Sequence, residues 1–216
     1  MDDVTFSIPI VLQILDLFGI MAFAVTGALK AIEYKMDIVG VIMLASSTGL
    51  AGGLIRDVIL NRIPPKVLVD PFYLLVAVST GLIVFFLYRF FKENFNLFLK
   101  FDAIGLGVFS IIGASVAYEI TGLNFIAMAF SGIFTAIGGG IFRDMIVKEI
   151  PLVFLKELYA SASFLGITIF YIMLLFEINY YFSMMICIVI ITVFRLLSMK
   201  FNWNLPRLHT DEKNVD

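Results

Sequence analysis

The amino-acid sequence predicts an all-α integral membrane protein with seven transmembrane helices, arranged as two inverted three-helix repeats plus a C-terminal helix. Three observations predict this fold. The 216 residues are 61% hydrophobic and 15% charged, so polar side chains are too few to cover a globule in water. The charged residues divide the chain into seven apolar runs, most of them near the ~20 residues that a helix needs to cross a bilayer. Finally, the chain contains an internal sequence repeat.

The seven predicted spans follow one another along the whole chain. They cover residues 8–29, 38–55, 72–88, 103–118, 120–142, 158–176 and 178–194. The fourth and fifth runs almost touch, and a count of five or six spans would require one run to be re-entrant. The leader Met1, Asp2 and Asp3 is acidic and the first run is long, which favours a retained helix over a cleaved signal peptide.

The distribution of basic residues predicts the orientation in the membrane. With the N-terminus outside, the outer segments contain two basic residues, Arg62 and Lys66, and Arg56 and Arg143 lie in or beside apolar spans. The inner segments hold the other eleven of the fifteen: Lys30, Lys35, Arg89, Lys92, Lys100, Lys148, Lys156, Arg195, Lys200, Arg207 and Lys213. Membrane proteins keep Lys and Arg on the cytoplasmic side, so the tail over 200–216 is expected in the cytoplasm.

The repeat pairs chemically distinctive residues as well as apolar ones. At an offset of 86, Asp16 falls on Asp102. At an offset of 87, six residues fall on six identical ones. The first copy has Gly52, Gly53, Arg56, Asp57, Ile63 and Pro64, and the second has, in the same order, Gly139, Gly140, Arg143, Asp144, Ile150 and Pro151. Shared hydrophobicity alone would not make these coincide. The repeat predicts units at 8–91 and 98–176, with the seventh helix at 178–199 outside it. Three spans per unit is an odd number, so the second unit must be inverted.

Glycine runs occur at matching places in the second and fifth spans, at Gly52 and Gly53 and at Gly138, Gly139 and Gly140. Each glycine weakens a helix by about 1 kcal/mol relative to Ala. Broken helices at corresponding places in two inverted halves mark a transport path, so we expect breaks here. The alternative is that the glycines only permit close helix packing.

Charged residues lie just beyond each glycine run. Neighbours on a helix point about 100° apart, so Arg56 is not expected to pair with Asp57, nor Arg143 with Asp144. The pseudo-symmetry instead predicts pairs across the halves, Arg56 with Asp144 and Arg143 with Asp57. The alternative is that both dipeptides reach the membrane interface.

Two further acids are candidates. Asp16 lies within the first span, where a carboxylate is costly and usually marks an ion path or a paired site. Its repeat partner Asp102 falls just outside the fourth run as drawn, so the two acids would lie at different depths.

Two copies of a three-helix unit, each with Gly-Gly-x-x-Arg-Asp followed by Ile-Pro, resemble the prokaryotic branch of the TRIC family. These trimeric intracellular cation channels are also described as glycine-transporter-domain proteins. The resemblance covers about residues 10–200. It implies a homotrimer surrounded by membrane lipid, in which each protomer encloses a pore for monovalent cations, chiefly K⁺, lined by the first, second, fourth and fifth helices.

The resemblance places the pore at the polar groups around the predicted breaks, where hydroxyls and carbonyls can replace part of an ion's hydration shell. The alternative for a single Ser or Thr is a hydrogen bond to its own helix. The candidate pathway residues are Asp16, Ser46, Ser47, Thr48, Gly52, Gly53, Arg56, Asp57, Asp102, Ser131, Thr135, Gly138, Gly139, Gly140, Arg143 and Asp144.

A carrier for glycine or another small amino acid is the main alternative function, because a guanidinium suits a carboxylate. A third possibility is a structural membrane protein without a pore. One Cys and one His exclude a disulfide framework and speak against a His/Cys metal site, so no metal is expected beyond transient K⁺. A net charge of −2 excludes a nucleic-acid footprint. The sequence shows no nucleophile–base pair and no cofactor motif, so an enzyme is not expected.

Overall fold

The computed structural model describes residues 9–88, 95–155, 158–201 and 203. These residues form nine helices and no strand. The helices are α1 (Ile10–Glu33), α2 (Ile38–Ile59), α3 (Lys66–Val69), α4 (Pro71–Phe86), α5 (Phe95–Thr121), α6 (Phe125–Ile146), α7 (Leu152–Leu155), α8 (Ala160–Leu175) and α9 (Tyr180–Lys200). Five of them, α1, α2, α5, α6 and α9, are long and apolar enough to cross a membrane, and α4 and α8 are shorter apolar helices of 16 residues each.

Side-chain caps define where four of the apolar helices begin. Asp37, Asp70, Asn124 and Asn179 each accept a hydrogen bond from a backbone N–H in the first turn of α2, α4, α6 and α9. Such caps satisfy donors that have no partner within the helix. Asp37 and Asn124 are 87 residues apart, so α2 and α6 begin at equivalent repeat positions.

The helices extend beyond several predicted spans, and the largest difference concerns α5. It begins at Phe95, whereas the prediction started the span at residue 103. Asp102 is therefore inside the helix, as Asp16 is inside α1, and its predicted place just outside the fourth span is wrong. The prediction failed because it treated Asp102 as a boundary, although Asp102 is buried and paired with Arg143. The predicted unit boundary near 91 lies outside the described residues, as does the predicted tail apart from residues 200, 201 and 203.

The predicted helix breaks are wrong. α2 is helical without interruption through Gly52 and Gly53, and α6 through its three glycines. A Cβ atom on Gly52 would collide with the carbonyl oxygen of Thr135, and one on Gly139 with the carbonyl oxygen of Thr48. Gly52 and Gly139 therefore let the α2 and α6 backbones touch. For these two glycines the alternative prediction, that they permit close helix packing, is confirmed.

The helices of the two halves cross in antiparallel directions. On α1 and α5, a Cβ on Gly19 would lie 2.5 Å from the Phe109 ring, and one on Gly105 would lie 3.1 Å from the Phe23 ring. The two rings stack with centroids 5.4 Å apart. Because Gly19 meets the later residue of α5 and Phe23 meets the earlier one, α1 and α5 run in opposite directions. The α2–α6 contacts, Gly52 with Thr135 and Gly139 with Thr48, show the same relation.

Candidate functional site

The first buried charge cluster is centred on Arg56, whose side chain is fully buried. Its Nη1 donates to Asp16 Oδ1 at 3.1 Å and its Nε donates to Asp57 Oδ1 at 2.9 Å. Asp57 also accepts from Arg62 Nη1 at 3.1 Å and from the backbone N–H of Lys66, at the start of α3, at 2.9 Å. The Asp57 carboxylate thus joins α2 to the loop that follows it.

The second cluster repeats this arrangement around Arg143. Its Nη1 donates to Asp102 Oδ1 at 3.0 Å and its Nε donates to Asp144 Oδ1 at 2.7 Å. Asp144 Oδ2 accepts from the backbone N–H of Leu152, at the start of α7, at 3.0 Å. Each half of the chain therefore buries an aspartate–arginine–aspartate set tied to a short helix.

The predicted ion pairs across the halves are wrong. Arg56 and Arg143 each pair within their own half, and each pairs with the aspartate that follows it. The Arg side chain is long enough for its Nε to fold back onto the neighbouring carboxylate, which a comparison of Cα directions misses. Neither dipeptide is at an exposed interface of this chain, because both arginines are fully buried.

The surroundings of the two clusters differ. Arg143 Nη1 also donates to Thr26 Oγ1 of α1 at 2.9 Å. The Thr26 hydroxyl donates to the Phe23 carbonyl oxygen at 2.8 Å, so its oxygen faces Arg143 as an acceptor. The residue 86 positions after Thr26 is Ile112, which has no hydroxyl to offer Arg56.

A cation lies over a buried tyrosine in each cluster. Lys66 Nζ is 5.2 Å from the Tyr73 ring centroid, and the Arg195 guanidinium is 4.7 Å from that of Tyr159. Arg195 comes from α9 and is 3% exposed. Arg195 therefore lies against other parts of the protein and not in an exposed loop.

The predicted hydroxyl residues form hydrogen bonds mainly with helix backbones. Thr48 donates to Leu44 and Thr135 donates to Ser131, both at 2.6 Å, and Ser47 also donates to Leu44, at 3.2 Å. Ser131 Oγ donates across to the Gly113 carbonyl oxygen of α5 at 2.9 Å. The buried Ser46 Oγ has no hydrogen-bond partner among the described residues. Thr48 and Thr135 lie at the α2–α6 contact, beside the glycines.

The structure adds five residues to the predicted set: Thr26, Arg62, Tyr73, Tyr159 and Arg195. The tyrosines are 86 residues apart, so the offset that pairs Asp16 with Asp102 could have revealed them. Thr26 and Arg195 have no equivalent in the other half, and no sequence signal identifies them. No group of three or more His, Cys, Asp or Glu side chains within the described ranges could hold a metal ion.

Besides Nε and Nη2 of Arg195, four buried polar atoms of the clusters have no hydrogen-bond partner in the part of the chain that the structure describes. They are Arg56 Nη2, Tyr73 Oη, Arg143 Nη2 and Tyr159 Oη, which form two pairs at equivalent repeat positions. An unsatisfied buried donor costs about 1–3 kcal/mol, and native proteins leave few of them. Their repetition in both halves makes them a feature of the site.

Comparison with known sequences gives two kinds of match. A family model described as glycine transporter matches residues 13–89 and again 99–175. A UPF0126 membrane protein of Deinococcus radiodurans is 38% identical over 165 residues, covering 75% of this chain and 76% of that protein. The UPF0126 inner membrane protein YadS of Escherichia coli K12 is 34% identical over 203 residues, covering 92% of this chain and 96% of YadS.

Solved structures of TRIC proteins are similar over nearly the whole chain. One, solved to explain conductance through TRIC cation channels, has 36% identity and a TM-score of 0.83, covering 92% of this chain and 98% of that one. The trimeric intracellular cation channel orthologue from Rhodobacter sphaeroides has 30% identity and a TM-score of 0.85, covering 90% of this chain and all of that one (100%).

Proposed function

The chain belongs to the prokaryotic TRIC family of multi-pass membrane proteins, which the glycine-transporter model describes, and from this we propose that it is a passive channel for monovalent cations, chiefly K⁺. The observation that carries the proposal is the close α2–α6 crossing between two buried, charge-balanced clusters. In the first cluster, Asp16 and Asp57 offset Arg56 and Arg62. A neutralised arginine does not repel a passing cation as a free one would.

We further propose seven membrane spans in two inverted units, 8–91 and 98–176, followed by a seventh helix at 178–199 and a tail at 200–216. Two matches of one family model and the antiparallel crossings support the inversion. α4 and α8 would supply the third span of each unit. At 16 residues each covers about 24 Å, so the bilayer must thin locally or flanking residues must complete the span. The N-terminus is outside and the C-terminus cytoplasmic.

The path runs within each protomer of a homotrimer, between α1, α2, α5 and α6. The pathway residues are those predicted from the sequence, now proposed on unbroken helices. The trimer follows the Rhodobacter sphaeroides orthologue. Light scattering of the detergent-solubilised protein measures its mass, and a monomer or dimer would contradict the trimer.

Purified protein in planar bilayers under a K⁺ gradient tests the channel. We expect discrete unitary currents that reverse near the K⁺ equilibrium potential. Replacing K⁺ by a large organic cation on both sides should abolish them. A protein that is folded by circular dichroism but gives no current would contradict the proposal.

The second candidate is a carrier for glycine or another small amino acid. The observation that favours it is the unpaired Nη2 of Arg56 and Arg143 among the described residues, because a guanidinium binds a carboxylate well. Radiolabelled glycine uptake from the same preparation separates the two functions. Saturable uptake without unitary current would establish the carrier.

A further inference from the structure

The cations that cover the two buried tyrosines come from different parts of the chain. Lys66, which lies over Tyr73, belongs to the repeated segment after α2. Its equivalent in the second half is Leu152, and both residues donate a backbone N–H to the second aspartate of their cluster. Leucine has no charge to offer, and the cation over Tyr159 is Arg195 of α9. This helix lies outside both matched repeat units, so the seventh span supplies what the second loop lacks.

The two clusters also differ in how their carboxylates are balanced. In the first cluster two arginines, Arg56 and Arg62, offset two aspartates. In the second cluster Arg143 alone pairs with two aspartates, because the residue equivalent to Arg62 is Glu149. The second cluster therefore has one carboxylate too many, and the positive charge of Arg195 restores the balance.

The surroundings of Arg195 connect it to the excess carboxylate. Its side chain is 3% exposed, and its Nε and Nη2 have no hydrogen-bond partner among the described residues. Its charge is within electrostatic reach of Asp102, and the hydroxyl of Tyr159 interacts with the same carboxylate. Tyr159 thus contacts the guanidinium with its ring and the carboxylate with its hydroxyl. A buried guanidinium is costly without compensation, and this arrangement provides it.

Close packing fixes α9 at this position. A Cβ on Gly107 of α5 or on Gly166 of α8 would collide with side chains of α9. The equivalent positions of the first unit carry the larger side chains of Met21 and Thr80. The second unit therefore has glycines where the seventh helix packs against it, and Arg195 lies on the buried face of that helix.

We propose that Arg195 is a positioning residue of the cation path, through which α9 neutralises the second cluster and holds Tyr159 against Asp102. This inference rests on the proposed channel. Without Arg195, one carboxylate charge beside the path is uncompensated, and charges act over long distances where the dielectric constant is low. A passing K⁺ ion is then held longer than in the balanced wild-type path.

The variant Arg195→Met tests the proposal in planar bilayers, because it keeps an unbranched apolar stem and removes the charge. Unitary conductance is measured over a range of K⁺ concentrations. We expect the concentration at half-maximal conductance to fall at least about threefold, since an uncompensated charge attracts cations into the path. Loss of packing alone would not increase the apparent affinity for K⁺.

Two matched variants separate the charge from its position. Arg195→Lys keeps a cation that can lie over the Tyr159 ring, and it should keep the wild-type concentration dependence. Lys200→Met removes one positive charge from an exposed residue of the same helix. Because solvent and salt screen that charge, its removal should leave the concentration dependence unchanged.

A double-mutant cycle tests the coupling to Asp102 without any current. Arg195→Met and Asp102→Asn should each lower the free energy of unfolding in detergent. The double variant should lose less than the sum of the two single losses, because a neutral amide at position 102 no longer needs the cation. Additive losses would contradict the coupling. If Arg195→Met does not fold, the double variant should fold, and failure of both would contradict charge compensation.

The wild-type current separates failure of the inference from failure of the channel. If wild type conducts and Arg195→Met has the same concentration dependence, Arg195 does not act on the path and the inference is wrong. An equal shift in Lys200→Met would also overturn it, because the effect would then belong to any charge of α9. Wild-type protein without current would overturn the channel and the role of Arg195 in it, and the cycle would then decide charge compensation alone.

Discussion

The two halves bury the same cluster but connect it to the rest of the molecule differently. Arg56 binds acids of the first half, Asp16 and Asp57, and Asp57 in turn binds Arg62 of the same half. Arg143 also binds Thr26 of the first half, and Arg195 of α9 covers the tyrosine of its cluster. The repeat therefore reproduces the chemistry of the charge set but not its neighbours.

The loops after the two clusters differ in the same way. Arg62 and Glu149 occupy equivalent positions 87 residues apart, each after a residue with left-handed backbone, Asn61 or Lys148. Arg62 turns inward to Asp57, whereas Glu149 pairs with Lys30 of α1 at 2.8 Å. The first loop strengthens its own cluster and the second ties the two halves together.

Removing the central arginine of either cluster should have the largest effect. Arg143→Met leaves the buried carboxylates of Asp102 and Asp144 without their cation, and Arg56→Met leaves that of Asp16, while Asp57 keeps Arg62. Removing one partner of a buried ion pair costs about 3–5 kcal/mol of unfolding free energy. The loss should be greater for Arg143, because Thr26 also loses its partner. Unfolding in detergent, followed by circular dichroism, measures both. Equal losses would show that the extra contacts of the second cluster contribute nothing to stability.

Substitution of the packing glycines, Gly52 and Gly139, should lower the unfolding free energy by similar amounts in the two halves. Gly52 and Gly139 make reciprocal contacts with Thr135 and Thr48. Alanine at either position forces the α2 and α6 backbones apart, at a cost of about 1–3 kcal/mol. The same unfolding measurement tests this. Losses that differ strongly between the two variants would contradict a symmetric crossing.

The sequence alone predicted the apolar helices and the repeated charge motif, because hydrophobicity and residue identity are local properties. Three errors came from properties that depend on packing. The limits of α5 were missed because Asp102 is neutralised by Arg143. The breaks at the glycines were predicted because nothing local shows that Gly52 touches Thr135. The ion pairs were misassigned because the pseudo-symmetry suggested that each arginine pairs with an aspartate of the other half. Each arginine instead pairs with two aspartates of its own half.

The remaining residues of the site also fall into those that the sequence repeat could have revealed and those that it could not. Tyr73 and Tyr159 could have been found from their separation of 86 residues, which matches that of Asp16 and Asp102. Thr26 and Arg195 could not, because each reaches the second cluster from an element outside the second unit. The repeat thus predicts what the halves share, and only the folded chain shows what distinguishes them.

The Thr26 contact can be removed without changing side-chain volume greatly. Thr26→Val deletes the acceptor of Arg143 Nη1, and a hydrogen bond to a charged group contributes about 1.5–3 kcal/mol. The matched change in the other half, Ile112→Val, removes one methylene and should cost about 0.5–1.5 kcal/mol. Both unfolding free energies are measured as above. A smaller loss for Thr26→Val than for Ile112→Val would show that the contact between the halves is not stabilising.

The smallest effect is expected at the link between Glu149 and α1. Burial raises the pKa of Glu149, but hydrogen bonds from Lys30 and Tyr34 outweigh it and leave the pKa below its usual value. The same hydrogen bond raises the pKa of Tyr34 to about 12. A carboxyl group whose pKa is lowered by folding stabilises the protein above its unfolded pKa of about 4.3 and loses that contribution as pH falls through the folded value.

Glu149→Gln should therefore lower stability at pH 7 by less than about 1 kcal/mol, because the carboxylate is 37% exposed and screened by solvent. The difference from wild type should shrink as the pH falls below the unfolded pKa of about 4.3 and vanish once the pH is below the lowered pKa of folded Glu149. Thermal midpoints of both proteins between pH 3 and 7, at fixed ionic strength, measure it. Arg62→Gln, at the equivalent position, should lose more at pH 7, because Arg62 binds a fully buried carboxylate. A greater loss for Glu149→Gln would reverse the comparison and make the link between the halves the stronger of the two loop contacts.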